Sequence, residues 1–291
     1  MVHFPPEHTT GVHELTINGE HIDSEVFSTE YRRLMQMQSD RPADLALSEE
    51  QIQEMARENV IVGTLLSQEA RRRVTSLSES EVKHRLRQLQ KQYGDSVPLD
   101  HLRPRVENEL RIDHMYKAVF KKLPRVTIDA AKAEYEKDPS AYNEPAQVHC
   151  SHIVRHTFGG ADPNVSLQQI MEAQDLLRRG MPFEEVSRRF SDQHGQAGDL
   201  GTFARGRMVD KFENVVFRMR EGEISDVFQT EFGYHIALVH EKHPERPRTF
   251  DEAKDDVIRA LKERQQREAI DSLIEELRRD AVIEADSEGE E

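Results

Sequence analysis

The apolar spacing of this chain changes period twice, and that limits its fold more than any other feature. From Ser24 to about Leu123 apolar residues recur at helical intervals; from 145 to 240 short runs broken by glycine and proline replace them; from Asp251 to Arg279 a helical stripe returns. In that last segment Val257, Leu261, Ile270, Leu273 and Leu277 form an apolar face with nothing nearby in sequence to pack on. An amphipathic helix of this length is rarely stable alone in water. It is therefore expected to return to the N-terminal helices, which makes their domain discontinuous in sequence.

Local signals fill in the outer domain. Leu15 and Ile17 share one side of a short strand, and Asn18-Gly19 suits a tight hairpin turn. Ser48 with Gln51 three residues on is a capping pair, followed by an apolar stripe of Ile52, Met55, Val60, Leu65 and Leu66. Ser78 opens another helix, with Val82, Leu86 and Leu89, that ends near Gly94. Leu102, Val106, Leu110, Met115 and Val119 carry the pattern to Pro124, and Thr127 caps a short helix that Asp138-Pro139 breaks. The middle segment reads as a strand (146–156), helices (166–179 and 183–190), a glycine loop, a helix (209–220) and two strands (226–230 and 233–239). This is a compact α/β or α+β unit of ordinary domain size.

Composition narrows the function. A chain of 291 residues suits two domains. Its net charge of −15 works against nucleic acid, whose phosphates need a basic face, and favours basic or unfolded polypeptides as partners. The single cysteine, Cys150, excludes an internal disulfide and any multi-cysteine zinc site. No run approaches the ~20 apolar residues of a membrane span, so no membrane insertion is expected. MVHFPPEHTTGVHELT lacks the pattern of a signal peptide. The expected compartment is the cytoplasm, or the periplasm or exterior if a signal has been removed.

Thirteen residues, SDQHGQAGDLGTF (Ser191 to Phe203), space glycines evenly at Gly195, Gly198 and Gly201. A phosphate loop needs Gly-Lys-Ser/Thr opening a helix, or glycines between a strand and a helix; here a helix precedes the loop and no lysine follows closely. A metal reading of His149, Cys150 and His152 also fails, since strand alternation sends Cys150 and His152 to one face and His149 to the other. No cofactor and no metal are expected.

The segments around that loop are more specific. Cys150-Ser151-His152-Ile153-Val154, AGDLGTF (Ala197 to Phe203), GRMVDKF (Gly206 to Phe212), GEISDVF (Gly222 to Phe228) and TEFGYHIALV (Thr230 to Val239) follow in order. Together they closely resemble the parvulin-type prolyl cis/trans isomerases over essentially all of 145–241. The flanking helices resemble, more loosely, the SurA and PrsA kind of chaperone-isomerase.

The resemblance implies a parvulin-like domain at 145–244, a small mixed sheet with surrounding helices, inserted in an all-helical chaperone-like domain. That outer domain spans 12–143 and is completed by 248–284, with an acidic tail at 285–291. It also implies the site. His152 and His235 match the family's two histidines and Gln193 stands at its third catalytic position. Leu200, Met208 and Phe212 match the proline pocket, with Phe203, Thr230 and Phe232 near it. The implied activity is peptidyl-prolyl isomerisation and chaperoning of unfolded or extended polypeptides. The alternative is a non-catalytic holdase or assembly factor that uses the cleft only to bind peptide.

The chemistry suits such residues. Rotation about a peptide bond faces a barrier of ~18–20 kcal/mol from C–N double-bond character, and twisting removes that resonance. An apolar grip on the ring and hydrogen bonds suited to the twisted form lower the barrier without covalent steps. Neutral histidines bonded to one another are expected to orient their neighbours. Two departures from the family stand out. Gln193 replaces the usual Cys or Asp, with Asp192 able to substitute only if the loop shifts by one. The loop RHTFGGADPNVS holds only Arg155 where phosphate-directed relatives carry a basic cluster, so phosphoserine specificity is not expected.

Overall fold

The computed structural model describes residues 15–38, 47–93, 98–193 and 198–285. Expectations for Val12, Gly94, Gly195 and 286–291 lie outside the described residues. The chain divides into two compact units, Met1–Val126 with Ala260–Glu291, and Thr127–Arg259.

In the first unit, strands β1 (Leu15–Ile17) and β2 (Glu20–Ile22) form a hairpin. Its turn places Asn18 at φ 52° and Gly19 at φ 78°, the left-handed conformation that this dipeptide tolerates. Helices α1 (Ser24–Gln38), α2 (Glu49–Arg73), α3 (Glu79–Tyr93) and α4 (Leu99–Phe120) follow. The Ser48–Gln51 capping box is formed in both directions, so α2 starts where its first N–H groups find acceptors. Leu15, Ile17 and Ile22 bury against Val60, Ile61 and Leu65 of α2. Val82, Leu86 and Leu89 of α3 bury against Val106 of α4. Met55, read as part of the α2 stripe, remains 40% exposed.

The last helix, α9 (Phe250–Asp280), belongs to the first unit from Ala260 on. There Leu273 joins Leu66, Ala70 and Met115 in one buried cluster, with Ile274 and Leu277 at its edge. This unit is not wholly helical. A strand β7 (Ile283–Ala285) follows α9 and pairs antiparallel with the free edge of β1, so residue 285, read as the first of the tail, is part of this sheet. Asn18 fixes the join: its N–H donates to Val282 O (2.8 Å) and its Oδ1 accepts from Val282 N–H (2.9 Å).

The second unit opens with α5 (Ile128–Lys137), capped by Thr127 and followed by a 3₁₀ turn at Pro139–Tyr142. This helix groups with the second unit because Tyr135 packs against Tyr142 and Phe250 and donates its hydroxyl to Arg248 O (2.6 Å). A four-stranded sheet forms the body, in the order β4 (Asp199–Ala204), β3 (Gln147–His156), β6 (Gly233–His243), β5 (Phe228–Thr230). Every pairing is antiparallel, so the sheet is not mixed. Much of the expected glycine loop, from Asp199 on, is strand β4, because its backbone completes the free edge of β3.

Helices α6 (Pro163–Arg178) and α7 (Phe183–Phe190) cover one face of the sheet, and α8 (Asp210–Val216) lies on the other. Helix α6 begins three residues before Ser166 because Asp162 caps it and Pro163 supplies a ready φ at its first position. Helix α8 ends at Val216, short of Arg220. Alternation on the central strands sorts the core. Ile153 and Ile236 pack with Ile170, Ala173, Val186 and Phe190, while Val148, Cys150, Ala237 and Val239 pack with Phe203, Phe212 and Val216.

Candidate active site

At the end of the α8 face where β3 stops, the sheet and the neighbouring loops enclose a cleft of about 660 Å³. His152, Val154, His156, Gln193, Leu200, Arg207, Met208, Val209, Phe212, Phe232 and His235 line it. Of the nine site residues read from the sequence, seven meet there. Phe203 does not. It sits on β4 in the core, edge-on to Phe217 at 6.2 Å, because alternation turns it behind the cleft. Thr230 is buried beneath the floor, where its hydroxyl oxygen lies 2.8 Å from His235 Nε2.

The register of β3 with β6 sets His152 opposite Ala237 and Val154 opposite His235, so the two histidines are diagonal neighbours on one face. Their rings stack at 5.6 Å with planes 26° apart. They are not hydrogen-bonded to one another: each Nε2 has its own partner, and the buried Nδ1 atoms of both have none. His152 Nε2–H donates to Gln193 Oε1 (2.6 Å). Thr230 Oγ accepts from Phe232 N–H (3.1 Å), which leaves its own proton to donate to His235 Nε2. Phe212 meets both imidazoles edge-on, each at 5.7 Å, and Phe228 stacks on His235 at 5.4 Å.

This apolar box keeps both rings neutral. Burial lowers the pKa of His152, partly offset by its bond to Gln193, and nearby His156 lowers it further. Burial, with His152 and His156 adding to it, pushes His235 down to about 3.

Two carboxylates hold the walls without entering the cleft. Asp192 pairs with Arg155 and accepts from His156 N–H (2.7 Å), so it is committed to the end of β3 and does not take the place of Gln193. Glu213, on α8, accepts from the backbone N–H groups of Gly206, Arg207 and Met208 at 2.8–2.9 Å. Burial would raise its pKa, but these three donors outweigh that and hold it below the usual carboxylate range. Met208 is thus presented by a loop pinned from behind. Gly198 allows the remaining wall: at φ +81° a Cβ there would stand 2.0 Å from His152 O. Its backbone closes directly on the strand that carries the histidine.

Sequence reasoning missed Val154 and His156, although both share the two-residue period of His152. It missed Glu213 too, and no local pattern marks that residue, since its role depends on α8 folding back on the 206–208 turn. Among the described residues no group of three His, Cys, Asp or Glu side chains could hold a metal ion. His149 instead pairs with Asp199 (2.9 Å) and stands beside His240 at 4.7 Å. The Cys150 thiol is buried, and that burial, with a smaller effect of Asp199, pushes its pKa to about 12, so it is no nucleophile.

Residues 152–241 match the PPIC-type peptidyl-prolyl isomerase domain of the rotamase class, and the second unit is therefore a parvulin-type isomerase domain. Similarity to PrsA and SurA proteins extends beyond that domain. It is 26% identical to the foldase protein PrsA of Geobacillus sp. (strain WCH70) over 215 residues, 72% of each chain. The PrsA of Geobacillus kaustophilus is 34% identical over 117 residues, 39% of this chain and 41% of that one. The chaperone SurA of Cupriavidus metallidurans is 31% identical over 153 residues, 50% of this chain and 30% of that one. The chain thus spans under half the length of the last two relatives.

Proposed function

We propose that this protein catalyses cis/trans isomerisation of X–Pro bonds in unfolded or extended polypeptides and assists their folding. The observation that carries the reading is the cleft: an apolar recess beside two stacked neutral histidines, with one amide side chain at its edge. Leu200, Met208 and Phe212 would hold the proline ring. Gln193 Oε1 is taken by His152, so its NH₂ is the group left to face substrate. As the bond twists, the proline nitrogen regains a lone pair that this NH₂ can meet, a contact absent in the planar amide. The histidines hold Gln193 and Phe212 in place and bring no charge into the cleft.

Clients are read from charge and shape. The first unit has its own cleft, about 1340 Å³, between the hairpin and helices α1, α2 and α4. Five carboxylates line it (Glu20, Asp23, Glu25, Glu30, Glu58); Arg71, Arg33 and Arg278 pair with Glu20, Glu30 and Glu58, so the unbalanced charge that suits basic extended chains is that of Asp23 and Glu25. No helix among the described residues is long and apolar enough to cross a membrane. Of the two compartments considered, we propose export from the cytoplasm, on the likeness to PrsA and SurA.

The holdase reading draws on one observation, the amide at position 193. Rates of cis-to-trans conversion in short X–Pro peptides decide between the two. Acceleration that grows with protein concentration supports the enzyme, whereas peptide binding with no acceleration supports the holdase.

A further inference from the structure

We infer that Arg207 is a specificity residue of the cleft, reading an acidic side chain on the residue that follows proline in the substrate. The inference rests on the isomerase reading and names the substrate class of that same cleft. Among the described residues that line the cleft there is no Asp or Glu, and Arg207 is the one Lys or Arg. Its guanidinium pairs with no carboxylate among the described residues. The cations near it are committed elsewhere. Arg155 pairs with Asp192, while Arg205 lies over the Phe217 ring at 4.4 Å and donates to Asn214 Oδ1 (3.3 Å). In a chain of net charge −15, one unpaired cation in an apolar recess marks where an anion gains most.

The root of this side chain is fixed before substrate arrives. Arg207 N–H donates to Glu213 Oε1 (2.9 Å), in the same clasp that holds the N–H groups of Gly206 and Met208. The oxygens of Glu213 are thus occupied by backbone and not by the guanidinium. Less order need be gained on binding than in a loose loop. A guanidinium offers a planar fork that meets a carboxylate in two parallel hydrogen bonds, so it tells Glu from its uncharged isostere Gln.

Position follows from the two sides of the proline. Gln193 faces the bond that enters the ring, since its NH₂ is the group left to meet the ring nitrogen. Arg207 and Met208 are consecutive on the turn that grips the ring itself. The ring lies between the two, and the residue within reach of the guanidinium is the one that leaves the proline. The acidic cleft of the first unit takes basic stretches elsewhere in a client, so the two preferences do not compete.

The test uses blocked Ala-Ala-Pro-Xaa-Ala peptides with Xaa as Glu, Gln or Lys, and a second pair with Glu or Gln moved to the residue before proline. Exchange between isomers is followed by NMR for the full chain, Arg207→Gln and Arg207→Lys, each checked for native circular dichroism. In the wild type at low salt, kcat/KM for Glu after proline is expected to exceed that for Gln about fivefold, through KM, with Lys lowest. Arg207→Gln abolishes that ratio and Arg207→Lys keeps part of it. High salt shrinks the ratio in the wild type, because a half-exposed pair is screened. The salt response needs no variant, so it decides the matter should Arg207→Gln fail to fold, and a ratio that salt leaves unchanged overturns the subsite. Equal kcat/KM for Glu and Gln in an active wild type overturns it too and leaves the isomerase reading intact. So does a Glu preference that survives in Arg207→Gln, or one confined to the residue before proline. No acceleration of any peptide overturns the isomerase reading and the subsite with it.

Discussion

His152 donates its Nε2 proton to Gln193 Oε1 across 2.6 Å, and this bond fixes which end of the Gln193 amide the substrate meets. Gln193→Leu keeps the bulk and removes both the acceptor and the NH₂. Its turnover on X–Pro peptides is expected to fall about tenfold, or about 1.4 kcal/mol, the worth of one hydrogen bond. Gln193→Asp instead sets a charge near the substrate carbonyl, which destabilises the planar state more than the twisted one. Its turnover is expected to rise several-fold, with KM changed less; an equal or lower rate in a folded Asp variant rules that argument out.

The two neutral histidines set the pH response. His235 has a pKa of about 3 in the folded chain against 6.5 for a free imidazole, and His152 is lowered as well. Below pH ~6.5 the unfolded chain therefore binds protons that the native chain refuses, and stability falls by up to about 1.4 kcal/mol per pH unit for each such histidine. Above that pH the contribution is fully present and constant. Urea midpoints should be level from pH 7 to 8.5 and decline from 6 to 4, and the decline should be shallower in His235→Gln. Turnover should be level between pH 7 and 8.5, because neither ring titrates there.

Gly198 and Gly201 separate conformational strain from collision. Both have positive φ, yet a Cβ at Gly201 meets open space, whereas one at Gly198 strikes His152 O. Gly201→Ala should cost about 1 kcal/mol for its backbone alone. Gly198→Ala should cost more than twice that and lower turnover, because β3 must shift at His152. Chemical denaturation of the two variants side by side measures the difference, and equal losses would contradict the close approach.

Met208 and Phe212 line one pocket but differ in burial. Phe212 is in the core with Val216 and Ala237, so Phe212→Ala should cost about 3–5 kcal/mol and affect folding as well as activity. Met208 is only partly buried, and Met208→Ala should lower kcat/KM with little change in the thermal midpoint. Unchanged kcat/KM in a folded Met208→Ala would take the proline ring away from that position.

Leu273 tests the returning helix. It is buried with Leu66, Ala70 and Met115, so Leu273→Ala should cost the first unit about 2–5 kcal/mol. Hydrogen exchange should show protection lost across α2 and α4. Protection unchanged in both helices would mean that this cluster does not hold them.

The sequence alone determined what depends on near neighbours. Helical spacing marked α2, α3 and α9, the Ser48–Gln51 pair marked where α2 starts, and the order of motifs around His152 and His235 named the domain class. The stripe on α9 without a local partner also led to the expectation that it packs on the N-terminal helices, since an apolar face must be buried somewhere, and Leu273 is buried against α2 and α4. Tertiary structure decided the rest, because those features depend on residues far apart in sequence. β4 and β7 are strands only because β3 and β1 offer them free edges, and three- or six-residue runs carry too little pattern to announce that. Phe203 turned into the core and Thr230 beneath His235 because strand register fixes the face of each side chain. Glu213 became the anchor of the Met208 loop only once α8 had folded against it, for a carboxylate can lose its water only where several N–H donors already converge.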